Sequence, residues 1–318
     1  MNLIRFFIPV LLAATCIITS CKKNEPGKSD LVDTLITLPP DNPDKPVVVD
    51  SSKLLPSVIF YYNSSDSLIA SDNYTYDNNN RITKLVTMAH GNITNSQTFS
   101  YDVNGNLTNI TETSPNAISV IIPNVAPVTT IDTTYSVFHY TNNLPDSIVI
   151  TGSRIYKEVI KYVIENNRIN TLKTFIYTEM SIGIVGASPT PPKIRIDSTI
   201  INYVYTGDVL TQITRNNEKN ELTYSSHKSA FYNVDEKWSW VTATGFIMHP
   251  AGIHNHDVIK TTITLTNELI NYTYSSLYNQ YDYPIQTEFS GSAQFPGGSP
   301  STTTVIPLTI KYKYILAK

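Results

Sequence analysis

Between residues 74 and 110 the chain writes one phrase twice, and that repetition limits what it can fold into more than any other feature. The first copy runs Tyr74, Thr75, Tyr76, Asp77, Asn78, Asn79, Asn80, Arg81, Ile82, Thr83, Lys84, Leu85. The second runs Phe99, Ser100, Tyr101, Asp102, Val103, Asn104, Gly105, Asn106, Leu107, Thr108, Asn109, Ile110. Each opens with two aromatics two residues apart, which share one face of a strand. Each continues into an Asp/Asn/Gly cluster, the composition of a tight turn that visits positive φ. Each then restarts with apolar or β-branched residues. The offset of 25 residues is room for two strands and two turns, and a fixed period of that size marks a repetitive β architecture.

Looser copies follow the same grammar. Phe60 to Leu68 precedes the pair, and Phe138 to Ile150, Tyr162 to Leu172, Tyr203 to Ile213 and a divergent start at Tyr272 and Tyr274 come after it. His90, Gly91 and Asn92 supply the turn between the two clear copies. Period-2 alternation predicts one apolar face in Ile194, Ile196 and Ile200, in Ile259, Ile263 and Leu265, and in Leu308, Ile310, Tyr312 and Tyr314. Ile82 and Leu85, like Leu107 and Ile110, differ by three and cannot share a face of a regular strand. A bulge between them, or cover on both faces, is required. With 21 Tyr and only 15% charged residues, the expectation is an all-β chain. The predicted fold is a repetitive antiparallel β-hairpin meander, forming a large curved sheet or open barrel-like structure, with a short aromatic helical or cap segment around Phe231 to Trp240. Ser114 to Val128 and Ile182 to Lys193 are expected to be long Pro-containing loops, and the strand period is expected to lapse from Asn216 to Asp257.

The amino terminus reads as targeting sequence. Arg5 is followed by an apolar run from Phe6 to Ile18, then Thr19, Ser20 and Cys21. This ending resembles a bacterial lipobox, which implies a signal peptide over 1–20 and a lipidated Cys21 as first mature residue. Each buried methylene of an acyl chain contributes about 0.8 kcal/mol, so several chains anchor durably. Cys16 lies within the signal, so the mature chain is expected to hold no disulfide. Residues 21–53, with Pro39, Pro40, Pro43 and Pro46, read as a semi-extended tether, leaving 54–318 as the β-repeat domain. The lipobox, the tether and the aromatic-Asx phrase together resemble Bacteroidetes lipoproteins with a YD-repeat-like (RHS-like) β-hairpin domain of unknown function. That resemblance also takes in Leu222 to Phe231 and the closing turn Asn279 to Pro284. It implies a repetitive sheet at the cell envelope, in the outer membrane or at the cell surface with a periplasm-facing placement as the alternative, and it implies no catalytic residues.

The chemistry-bearing candidates are few. His254 and His256 would face one way on a strand and could chelate a divalent metal with His249 or Asp257 as third ligand; three His in one polar loop is the plainer account. Trp238 and Trp240 are a candidate ligand platform or part of a cap. The segments at Asp77 and Asp102 resemble calcium loops only superficially and are expected to form Asx turns. No cofactor motif is present, and a net charge of −3 gives no basic footprint for nucleic acid. The function expected is that of a membrane-anchored, non-enzymatic lipoprotein acting in binding, adhesion or envelope assembly, with a glycan or an envelope protein as partner. The alternatives are a polysaccharide hydrolase with its site between Asn216 and Asp257, or a structural accessory subunit of an outer-membrane complex.

Overall fold

In the computed structural model the described residues are 53–118, 128–153, 155, 157–166, 168–180, 193–234, 256–266, 268–294 and 303–316. They form β1 (Leu54–Tyr62), β2 (Leu68–Tyr76), β3 (Ile82–Ala89), β4 (Asn92–Tyr101), β5 (Leu107–Ile118) and β6 (Val128–Thr141). Then come β7 (Leu144–Gly152), β8 (Lys157–Glu165), β9 (Arg168–Met180), β10 (Lys193–Thr206) and β11 (Val209–Arg215). The last are β12 (Glu218–Lys228), β13 (His256–Leu265), β14 (Glu268–Tyr278), β15 (Pro284–Gln294) and β16 (Thr303–Leu316). Each strand pairs antiparallel with its sequence neighbours, and β1 pairs with β16, Leu54 opposite Leu316. The meander is therefore a closed barrel rather than an open sheet. Closure removes the edge strands on which other chains could template.

The turns are built as the duplicated phrase requires. The Asp77 carboxylate accepts the amides of Asn79 (2.8 Å) and Arg81 (3.0 Å), and Asn80 sits at φ +61°. Asp102 accepts from Asn104 (2.9 Å) and Asn106 (2.8 Å), with Gly105 at φ +78°. Asn63 and Asn279 repeat the same five-residue turn, with Asp66 at φ +54° and Asp282 at φ +75°. A short polar side chain that caps its own turn makes the left-handed step tolerable for a non-glycine. These Asx side chains are thus occupied with their own backbone.

A bulge resolves the three-residue spacing. Thr75 faces Lys84 and Tyr76 faces Ile82, so Thr83 is the extra residue; Thr108 is extra in the same way between Leu107 and Asn109. Each bulged hydroxyl donates across to the opposing carbonyl, Thr83 to Thr75 (3.2 Å) and Thr108 to Ser100 (3.0 Å). With the parity reset, Ile82 and Leu85, and Leu107 and Ile110, all point into the core.

The aromatic pair of each phrase divides its labour. The first ring is core: Tyr74, Phe99, Phe138, Tyr203 and Tyr312 are all buried. The second ring reaches back to the preceding hairpin. Tyr76 donates to the Pro56 carbonyl (2.6 Å), Tyr101 to Ile82 (2.6 Å), Tyr140 to Leu107 (2.8 Å) and Tyr314 to Pro284 (2.7 Å). Burial holds the Tyr76 and Tyr314 phenols well above their usual pKa, so they remain donors. This latch recurs at one end of the barrel, called here the tyrosine end. The other end is the far end.

Two expectations change and two become specific. β5 runs on through Ser114 to Ile118, so that insert begins as strand. β12 is continuous over Glu218–Lys228, and the strand period lapses only after it. Of the segment expected to be helical or a cap around Phe231 to Trp240, the described residues 229–234 form a turn, with Ser229, Ala230 and Phe231 buried, and 235–240 lie outside the described residues. That turn caps the tyrosine end: Phe231 meets Tyr74 edge-on at 5.4 Å, and Asn233 donates to the Leu54 carbonyl and the Tyr283 hydroxyl. Finally, Ile194, Ile196, Ile200 and Val204 do share a face of β10, but it is the outer one, and all four are exposed.

Candidate functional site

Inside a barrel wall every second residue faces the core. On β2 to β5 the inward positions toward the tyrosine end are aromatic and aliphatic. Toward the far end on β2 to β5 they become Asp72, Thr87, Asn95, Gln97 and Glu112, an assembly that side-chain burial alone would disfavour. Pairing places Asp72 opposite Thr87, Thr87 opposite Asn95, and Gln97 opposite Glu112, so the residues form a continuous inner patch.

The hydrogen bonds orient this patch. The two Glu112 carboxylate oxygens accept from Asn95 Nδ2 (3.1 Å) and Gln97 Nε2 (2.8 Å). Only the NH₂ of an amide can donate to a carboxylate, so Glu112 fixes which way both amides lie. Their oxygens, Asn95 Oδ1 and Gln97 Oε1, are left buried without a partner, as is the Tyr74 hydroxyl in the next inward row. Gln97 is 2% exposed, so this is a fully desolvated acceptor. Asp72 accepts from Thr87 (2.7 Å) and Tyr61 (2.8 Å). Burial pushes its carboxyl above the usual range, and the two hydroxyls pull it part of the way back.

Two further polar clusters lie on the inner wall. Asp257 accepts from Ser276 (2.7 Å) and Tyr278 (2.9 Å), and Ser276 touches Thr287, which receives the Tyr312 hydroxyl. Burial raises the Asp257 carboxyl, with those hydroxyls opposing. Elsewhere, burial raises Glu158, and the charge of Arg215 opposes it. Arg215 Nε and Asn220 Oδ1 have no partner.

Of the residues singled out in the sequence, His256 opens β13 beside Asp257. Asp257 is committed to two hydroxyls, and His256 Nδ1 is buried without a partner. His249, His254, Trp238, Trp240 and Cys21 lie outside the described residues, as do 1–20 and the tether up to residue 52. Among the described residues no group of three His, Cys, Asp or Glu could hold a metal ion. The β2 to β5 patch escaped the sequence reading. Its one signal was parity: Asn95 and Gln97 alternate in step with Phe99 and Tyr101, and Glu112 with Ile110.

The outer wall is the reverse of the inner one. Thr98, Ser100, Asn109, Glu221, Thr223, Lys260, Thr264, Glu288 and Ser290 are exposed on it. Among the described residues, β6 to β10 carry an apolar strip, where Val137, Val149, Val159 and Phe175 lie opposite one another in turn.

No family model matches the chain, and no curated protein matches it. Among solved structures it is similar to a porin-like protein from Bacteroides uniformis ATCC 8492, at 12% identity and a TM-score of 0.37, covering 81% of this chain and 96% of that one. It is also similar to part of a TcdB2-TccC3-TEV structure, at 9% identity and a TM-score of 0.19, covering 76% of this chain and 14% of that one. Neither similarity reaches the level at which a shared fold would be shown.

Proposed function

We propose that this chain is a lipid-anchored, non-enzymatic binding module of the cell envelope, held on its membrane through Cys21 and standing in water as a barrel that captures a glycan or an envelope protein. The observation that carries this reading is the polarity of the two walls. A barrel that spans a bilayer turns an apolar band outward all around and keeps its interior polar. Here most of the inner wall at the tyrosine end is aromatic and aliphatic, and much of the outer wall is Thr, Ser, Lys and Glu. The anchoring rests on Ile18, Thr19, Ser20 and Cys21 and on the proline tether that follows.

The test combines acyl labelling with extraction. The native chain is expected to incorporate labelled palmitate and partition into detergent, and Cys21→Ser to appear in the soluble fraction. Retention of Cys21→Ser in carbonate-washed membranes, or single-channel conductance from the purified protein in a planar bilayer, would overturn the reading. A second reading, a structural accessory subunit of an envelope complex, draws on the exposed Ile194, Ile196, Ile200 and Val204 of β10. It predicts that a photo-crosslinker at Ile196 traps one defined envelope protein in vivo, whereas a crosslinker at Thr98 traps none.

A further inference from the structure

We propose that the inner patch of β2 to β5 is a binding site for a neutral, hydroxyl-rich ligand, a short oligosaccharide, held through donors to Asn95 Oδ1 and Gln97 Oε1. This rests on the binding-module reading and specifies where its ligand sits.

A buried amide oxygen without a partner is costly, typically about 1–3 kcal/mol. Two of them side by side are harder to explain as packing, because Glu112 actively holds both amides in that orientation. The arrangement is a fixed pair of acceptors with the third member of the set, the carboxylate, behind them. What completes it must bring O–H or N–H donors. Asp72 and Glu112 each already accept two hydrogen bonds, whereas the atoms left open are neutral oxygens. Neutral hydroxyls match such atoms; an ammonium would seek a carboxylate directly.

The surroundings favour a sugar over a simple alcohol. Tyr74 and Phe99 occupy the next inward positions on β2 and β4, one step toward the tyrosine end from Asp72 and Gln97. Both rings are packed in the core, Tyr74 edge-on to Phe231, and form the apolar boundary of the patch. The Tyr74 hydroxyl is also buried and unpaired, adding a group that can donate as well as accept. From β2 to β5 the patch crosses three strand spacings, roughly 14 Å, a span for several sugar units rather than one small donor.

The experiment uses the full-length lipidated protein in detergent micelles and titrates maltohexaose, cellohexaose, mannohexaose and chitohexaose by calorimetry, with spermidine as a cationic comparator. At least one oligosaccharide is expected to bind. Gln97→Leu and Asn95→Leu should each weaken it about tenfold, the loss of one hydrogen bond or slightly more. Thr98→Ala, on the outer wall of the same strand, should leave affinity unchanged. Circular dichroism and the thermal midpoint show whether the variants keep the barrel, and Gln97→Met, of similar length and without the amide oxygen, serves as a second variant should Gln97→Leu unfold, with the same tenfold loss expected. The proposal is overturned if no oligosaccharide binds the folded protein, if binding ignores both inner-wall substitutions, or if spermidine binds in their place. Acyl labelling of Cys21 and release of Cys21→Ser would still stand in each case, so failure of this site is distinguishable from failure of the anchored-module reading.

Discussion

The two ends of the inner wall are made from the same strands but by opposite rules. At the tyrosine end the phrase repeats with little variation: an Asx side chain caps the turn, a bulged threonine resets the parity, and a tyrosine latches the hairpin to its predecessor. The turn amides and the latch hydroxyls there each have a defined partner. At the far end the inward positions of β2 to β5 carry Asp72, Asn95, Gln97 and Glu112, and buried amide oxygens remain open. The difference teaches where each part of the free energy is used. On β2 to β5, repetition secures one end and leaves the other to hold polar groups that do not help folding. On β13 to β15 the tyrosine end itself carries a polar cluster, Asp257 with Ser276 and Tyr278, whose hydrogen bonds are made.

That division can be broken experimentally. The largest effect is expected at the tyrosine end: Ile110→Ala should cost about 2–5 kcal/mol, the range for a large aliphatic removed from a packed core, read as a lowered urea midpoint. If Gln97→Leu cost as much, the contrast between the ends would collapse. Next, Asp102→Ala removes acceptors for the Asn104 and Asn106 amides and for Asn106 Nδ2. About 2 kcal/mol should follow from two or three lost hydrogen bonds, again in chemical denaturation. Tyr101→Phe tests the latch alone. It deletes one donor and no packing volume, so a loss of about 1 kcal/mol is expected, and a thermal midpoint equal to that of the native barrel would sink the idea that latches join the hairpins.

Buried carboxyls occur at both ends, and pH tests them together. Asp72, Glu158 and Asp257 all have folded pKa values raised by burial. A raised carboxyl binds its proton more tightly when folded, so its stabilisation is complete below the unfolded carboxyl pKa near ~4 and is lost as pH rises through the folded value. The thermal midpoint should therefore decline as pH rises across that window, and Asp72→Asn should flatten the slope. Smallest of all, Ile196→Thr on the exposed strip should fall within about 0.5 kcal/mol of the native barrel, checked in the same denaturation series.

Local rules were legible in the sequence because they are written locally. Asp77, Asp102 and the Gly105 turn announced themselves by residue type, and the spacing of Leu107 and Ile110 required the bulge at Thr108 or a second covered face. Closure was not legible. Leu54 and Leu316 pair across almost the whole chain, and no short motif encodes such a contact. The alternation of Ile194, Ile196 and Ile200 shows another limit: period 2 says that a face is apolar but not whether it points inward, and on β10 it points out. Asn95 and Gln97 were hidden by company, since a strand rich in Asn, Ser and Thr reads as surface unless its parity is followed down to Phe99 and Tyr101. The metal and platform candidates His249, His254, Trp238 and Trp240 fall in 235–255, outside the described residues, and only His256 and Asp257 could be placed.

The seam between β1 and β16 is bonded like any other neighbour pair, and the back-reaching hydroxyls continue through it, Tyr314 to Pro284 on one side and Tyr76 to Pro56 on the other. The ring consequently has no privileged starting strand. A permuted gene that splices residue 316 to residue 54 through a short flexible linker and opens the chain between His90 and Gly91 should rebuild the same cylinder, because order around the circle, not order of synthesis, is what the contacts specify.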